Sequence, residues 1–142
     1  MISFDAKNVK MPEFDYSKVE IWLGEVAAVH DRMIGNINYL FCDDDEILKV
    51  NRQFLNHDYF TDIITFDYSH KKRVSGDIYI SLDTVRSNAE DVKVSYDSEL
   101  LRVIAHGLLH LCGIDDKGPG EREIMEREEN ASLEMWQRMK QL

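Results

Sequence analysis

Apolar positions recur along this chain with two different periods, and the alternation between those periods outlines the fold. Ser17-Lys18-Val19-Glu20 has the spacing of a capping box ahead of Ile21, Trp22, Leu23, Val26 and Val29, which predicts a first helix to about Arg32. From Gly35 to Cys42 the residues Ile37, Tyr39 and Phe41 alternate with Asn36 and Asn38, the period of a strand. Asp43 and Glu46 repeat the cap spacing, and Ile47, Leu48, Val50, Phe54 and Leu55 supply the apolar stripe of a second helix. Asp62 to Tyr68 and Val74 to Ser81 are rich in β-branched and aromatic residues and flank a short polar segment, as a hairpin pair would. Ile2 to Phe4 is too short to assign by pattern.

Ser81 or Asp83 can start a third helix to about Val92, and Ser95 or Asp97 can cap a fourth. That fourth segment is apolar nearly all round, through Leu100, Leu101, Val103, Ile104, Ala105, Leu108, Leu109 and Leu111, so it is expected at the centre of the molecule. A Gly118-Pro119-Gly120 turn precedes a last helix from about Glu121, with Met125, Leu133, Trp136 and Met139 on its packing side. The expected architecture is an α/β (α+β) domain: a small mixed sheet of about four strands packed with about five helices. With 142 residues, 1–142 is expected to be one domain with a sizeable core.

Composition narrows the class. Only 7 Gly and 2 Pro against 44% hydrophobic residues exclude a disordered or fibrous chain. No apolar run is long enough to span a bilayer and the N-terminus lacks a signal pattern, so a cytoplasmic protein without a membrane partner is expected. In that setting Cys42 and Cys112 read as buried thiols rather than a bridge. A net charge of −10 argues against indiscriminate nucleic-acid binding while leaving room for a local basic patch. The one compact basic run is Lys71-Lys72-Arg73 beside His70, readable as a contact for an RNA backbone or as a solvated hairpin tip. Acidic residues crowd the last third at Glu121, Glu123, Glu126, Glu128, Glu129 and Glu134, where a solvated helix face is the expected reading.

The fourth helix carries the chemistry. His106 and His110 are four residues apart, hence about 40° apart around a helix and one turn along it, so both imidazoles can reach one cation. Gly113 can adopt the left-handed conformation that ends a helix, and the turned chain can deliver Asp116 as a third ligand, with Asp115 as the alternative. Two imidazoles, a carboxylate and an open position form a usual catalytic zinc set. The spacing matches the metzincin pattern, but Gly107 stands where metalloproteases carry their glutamate base, so a protease mechanism loses its proton acceptor. Arg102, one turn before His106, can hold a phosphate beside the metal or pair with an acid such as Glu99. Thr61, Asp62 and Asp77 can orient a substrate in the cleft, or serve as turn and cap residues.

Three blocks, Leu48 to Phe66, Gly76-Asp77-Ile78-Tyr79-Ile80, and His106-Gly107-x-x-His110-Leu111-x-Gly113, resemble the YbeY family of bacterial rRNA maturation factors or metal-dependent endoribonucleases. The resemblance implies a small mixed-sheet sandwich with the metal helix beside the sheet. It also implies a zinc-dependent, single-strand-specific endoribonuclease acting in 16S rRNA 3′-end maturation and ribosome quality control. Its implied partners are rRNA and the small ribosomal subunit, with ribosomal proteins or an assembly GTPase besides. Two positions depart from the family pattern: the third ligand, a histidine there, is Asp116 here, and the family's arginine is Leu55. The arginine's phosphate-pairing role would then fall to Arg52, His57 or Arg102. The catalytic set implied is His106, His110 and Asp116 around one Zn²⁺. A ribosome-assembly factor with a structural metal is the alternative, and a metzincin-like protease a more distant one.

Overall fold

In a computed structural model, described for residues 1–56 and 61–140, a four-stranded sheet carries five α-helices and a π-helical turn. The strands are β1 (Ile2–Ala6), β2 (Met33–Cys42), β3 (Ile63–Asp67) and β4 (Arg73–Ser81), arranged β1-β2-β4-β3. β1 and β4 both run parallel to β2, and β3 pairs antiparallel with β4, so the sheet is mixed. The expected hairpin pair is therefore present, with Ile64 opposite Tyr79 and Phe66 opposite Asp77. β1 had no signal of its own; it exists because β2 offers it a parallel edge from Ile37 to Phe41.

The helices are α1 (Tyr16–Val29), α2 (Asp44–Val50), α3 (Leu82–Val92), α4 (Tyr96–Leu111) and α5 (Glu121–Lys140). Polar caps fix their starts. Asp15, Asp43, Ser81 and Ser95 each accept a hydrogen bond from the backbone N–H three residues on, satisfying a donor the helix itself leaves open. The cap of α1 is thus Asp15 rather than Ser17. This helix also stops at Val29 instead of reaching Arg32, because Asp31 takes a left-handed backbone (φ 58°) that turns the chain into β2. The second helix does not run unbroken to Leu55: after Val50 it widens into a π-helical turn, Asn51–Leu55, closed by Asn56 at φ 54°.

α4 packs against one face of the sheet. Leu100, Ile104, Leu108 and Leu109 are fully buried, and the Tyr39 hydroxyl on β2 donates to the Ile104 carbonyl at 2.8 Å. Two glycines set how closely helix and sheet approach. A Cβ on Gly76 of β4 would lie 2.9 Å from Leu111 Cδ2, and one on Gly107 would lie 3.0 Å from Ile78 Cδ1. The opposite face is partly covered by α2, through Cys42, Ile47, Val50 and Ile64 with Phe66 and Tyr79 against them. α5 is anchored to α1 by the Trp22 indole, which donates to the Ser132 carbonyl at 2.7 Å and meets Trp136 edge-on at 5.3 Å. That anchor lies one turn beyond Glu129 on α5.

Among the described residues no helix is long and apolar enough to cross a membrane.

Candidate metal centre

The end of α4 turns through a Schellman motif. Gly113 N–H donates to the His110 carbonyl and Ile114 N–H to the Leu109 carbonyl, both at 3.0 Å, while Gly113 takes φ 93°. The chain reverses over the last turn of the helix and carries Asp116 back onto the two histidines.

There the carboxylate faces both rings. Asp116 Oδ2 lies 3.3 Å from His106 Nε2, and Oδ1 lies 3.6 Å from His110 Nε2. The imidazole centroids are 4.6 Å apart, and one ligand atom from each of the three residues falls within 4.8 Å of the other two. A tetrahedral zinc with bonds of about 2.0–2.1 Å separates its ligand atoms by about 3.4 Å. The donor set therefore fits one divalent ion with small adjustments. Asp115 is the weaker alternative: it stays 3.9 Å from His110 Nδ1 with its side chain 70% exposed.

A fourth side chain, a second carboxylate, adjoins the two histidines and Asp116. Glu129, brought in by α5, has Oε2 2.6 Å from His106 Nδ1, and its Oε1 accepts from Arg102 Nη1 at 2.9 Å. Arg102 Nη2 donates to Asn130 Oδ1 at 2.7 Å. Arg102 is thus paired with an acid, but the acid is Glu129 and not Glu99. Glu129 could not be singled out in the sequence, where it stands among Glu126, Glu128 and Glu134 in a helix face that reads as solvated. Its side chain is 12% exposed. Low exposure of one acid in an acidic run follows from how α5 docks, which no local pattern encodes.

Electrostatics separate the two imidazoles. Burial alone would favour neutral His106, but the hydrogen bond to Glu129 and the nearby carboxylates of Glu129, Asp116 and Asp62 outweigh it and raise its pKa. His110 moves the other way, lowered by burial and by its neighbour His106. Glu129 resists the upward push of burial because His106 and Arg102 favour its charged form. A metal takes neutral imidazoles, so binding would release whatever proton His106 carries.

The three groups open into a cleft of about 1050 Å³. Thr61 and Asp62 line it, with the Thr61 hydroxyl donating to the Ile63 carbonyl at 3.4 Å. Asp62 accepts from Asn88 Nδ2 at 3.5 Å, and burial raises its carboxyl pKa. Leu55 also lines the cleft, as do Lys117 and Arg122. The remaining candidates lie elsewhere. Asp77 accepts from Asn38 Nδ2 at 3.0 Å and alternates with Gly76 and Ile78, so it points to the sheet face opposite α4. Lys71, Lys72 and Arg73 are exposed where the chain turns from β3 into β4, with Lys72 paired to Asp31 at 2.6 Å. Arg52 is exposed outside the cleft lining, and His57 lies outside the described residues.

Fold and cluster together define the class: a small α+β protein with a mixed four-stranded sheet and a His/His/Asp group that could hold a metal, formed by a His-Gly-x-x-His helix and the turn after it. The chain belongs to the endoribonuclease YbeY family, whose model matches residues 1–137. It is 61% identical over 133 residues to an endoribonuclease YbeY of Phocaeicola vulgatus, covering 94% of this chain and 96% of the relative. A Bacteroides thetaiotaomicron endoribonuclease YbeY is 56% identical over 134 residues, with 94% and 98% covered. The solution structure of a Thermotoga maritima protein superposes with a TM-score of 0.67 at 27% identity, covering 99% of this chain and 93% of that one.

Proposed function

We propose that this chain is a zinc-dependent endoribonuclease that cuts single-stranded RNA in 16S rRNA 3′-end maturation and ribosome quality control, with His106, His110 and Asp116 as the metal ligands. Family membership makes it a hydrolase of RNA phosphodiester bonds with a role in rRNA processing. The observation that carries the metal reading is the convergence of two imidazoles and one carboxylate within 4.8 Å. A zinc ion held there supplies a Lewis acid for the phosphodiester and acidifies water near neutral pH. The protein's own groups do the rest. Glu129 holds His106, and the cleft walls at Thr61 and Asp62 present a hydroxyl and a carboxyl to whatever enters.

The cleft is rich in carboxylates, which repel an RNA backbone. Arg102 is engaged by Glu129 and Asn130, whereas Lys117 and Arg122 form no ion pair with a described residue. These two cations are the cleft's available phosphate contacts in place of the family arginine, whose position is Leu55. Nuclease-free protein loaded with zinc should cut an rRNA precursor, and a chelator or His110→Ala should stop the cutting. An uncut precursor beside a relative active in the same assay would refute the proposal. The apolar Leu55 in the cleft favours one second reading, an assembly factor that binds the small ribosomal subunit, a ribosomal protein or an assembly GTPase through a metal-stabilised surface. Under that reading, His110→Ala protein that still folds would retain maturation in cells.

A further inference from the structure

His106 and His110 are chemically equivalent in the sequence and unequal in the structure. Each presents Nε2 to Asp116, but their Nδ1 atoms meet different surroundings. His106 Nδ1 is 2.6 Å from Glu129 Oε2, whereas among the described residues His110 Nδ1 has only Asp115 Oδ1 at 3.9 Å, beyond hydrogen-bonding range. Glu129 is itself held: Oε1 accepts from Arg102 Nη1 at 2.9 Å, and Arg102 and His106 lie one turn apart on the same face of α4. The result is a closed ring, Arg102 to Glu129 to His106, linking α4 to α5 across 23 residues of chain.

A neutral imidazole carries one N–H, and a carboxylate can only accept. Carboxylates face both nitrogens, Glu129 at 2.6 Å from Nδ1 and Asp116 at 3.3 Å from Nε2, and the shorter contact decides: the proton of the neutral ring belongs on Nδ1 and the lone pair on Nε2. We propose that Glu129 is the positioning residue of this site, fixing the tautomer and ring orientation of His106, and that Arg102 acts through it by holding the carboxylate in place. The metal half of this inference rests on the proposed zinc reading; the tautomer half does not. Only one of the two histidines is preorganised, and the device that does it arrives on α5, outside the His-Gly-x-x-His segment. Metal affinity of the α4 pair is therefore linked to the docking of the C-terminal helix.

The test uses the whole chain in metal-free and zinc-titrated forms. Nitrogen-15 NMR of the metal-free protein, at a pH where His106 is neutral, should show Nδ1–H for His106 in the wild type. Glu129→Ala should lose that preference, and Glu129→Gln, which keeps an oxygen acceptor, should restore it in part. Zinc affinity measured by chelator competition should fall roughly 10- to 100-fold in Glu129→Ala, as loss of an outer-sphere carboxylate does elsewhere, with a smaller fall in Arg102→Ala. If Glu129→Ala unfolds, Glu129→Gln and Arg102→Ala carry the comparison. A folded Glu129→Ala protein with unchanged tautomer and unchanged zinc affinity would overturn the inference. A wild type that binds no zinc, in which the variant still switches the tautomer, would sink the zinc reading and leave the positioning role standing.

Discussion

Gly107 on α4 faces Ile78 on β4 with no space for a larger side chain: a Cβ at 107 would lie 3.0 Å from Ile78 Cδ1 and 3.1 Å from Ile63 Cδ1. The position that holds the base of HExxH proteases thus points into the core between helix and sheet, away from the cleft. Installing the glutamate should create no protease. Gly107→Glu should bury an unpaired charge in a packed site and destabilise the protein by about 3 kcal/mol or more, read by urea unfolding. Gly107→Ala should stay within about 1 kcal/mol of the wild type, since better helix propensity offsets the crowding of two isoleucine tips. A stable Gly107→Glu variant with chelator-sensitive casein turnover would contradict this packing argument.

The carboxylates at 115 and 116 should behave differently. Asp116 reaches both imidazoles, while the Asp115 side chain is largely in solvent. Elemental analysis after dialysis should find zinc retained in Asp115→Ala and lost in Asp116→Ala. Loss of an inner ligand should weaken affinity beyond the roughly 100-fold that outer-sphere changes cost. Equal retention in both variants would remove Asp116 from the ligand set.

Lys117 and Arg122 should set the salt dependence of RNA binding. For single strands each phosphate neutralised contributes about 0.7 to the slope of log affinity against log salt. Lys117→Ala and Arg122→Ala should each flatten that slope by about this amount, measured with an uncleavable single-stranded oligonucleotide. Lys71→Ala, at the exposed turn outside the cleft, should flatten it less. The reverse ranking would move the RNA path to the β3–β4 turn.

The thiols should be inert in the native state. Burial pushes the Cys42 thiol up to about 12 and the Cys112 thiol up to about 11, far from the thiolate that reacts. Ellman's reagent at pH 8 should label neither within minutes and both on unfolding. A fast native thiol would mean that the core around α4 opens readily.

What was legible in the sequence was what one helix or one turn contains. His106 and His110 share a helix face by periodicity alone, Gly113 marks the stop, and Asp115 and Asp116 are the acids that the turn after it carries. The sequence offered Asp77 as a cleft residue or a turn and cap residue, because nothing local says which face of the sheet receives α4. β1 was not legible, because five residues form a strand only where a neighbour supplies an edge.

The sequence by itself therefore determined the histidine pair, the helix that holds it and the order of the elements after β1, all of which depend on interactions between near neighbours in the chain. Only the tertiary structure decided that Asp116 rather than Asp115 faces both rings, that Arg102 answers to Glu129, and that Asp77 stands outside the cleft. The reason is physical. Glu129 meets His106 because Trp22 and Trp136 dock α5 against α1, and Gly107 faces Ile78 because α4 lies on that face of the sheet. Such contacts join residues far apart in the chain, and they follow from how the buried faces pack together rather than from any local spacing.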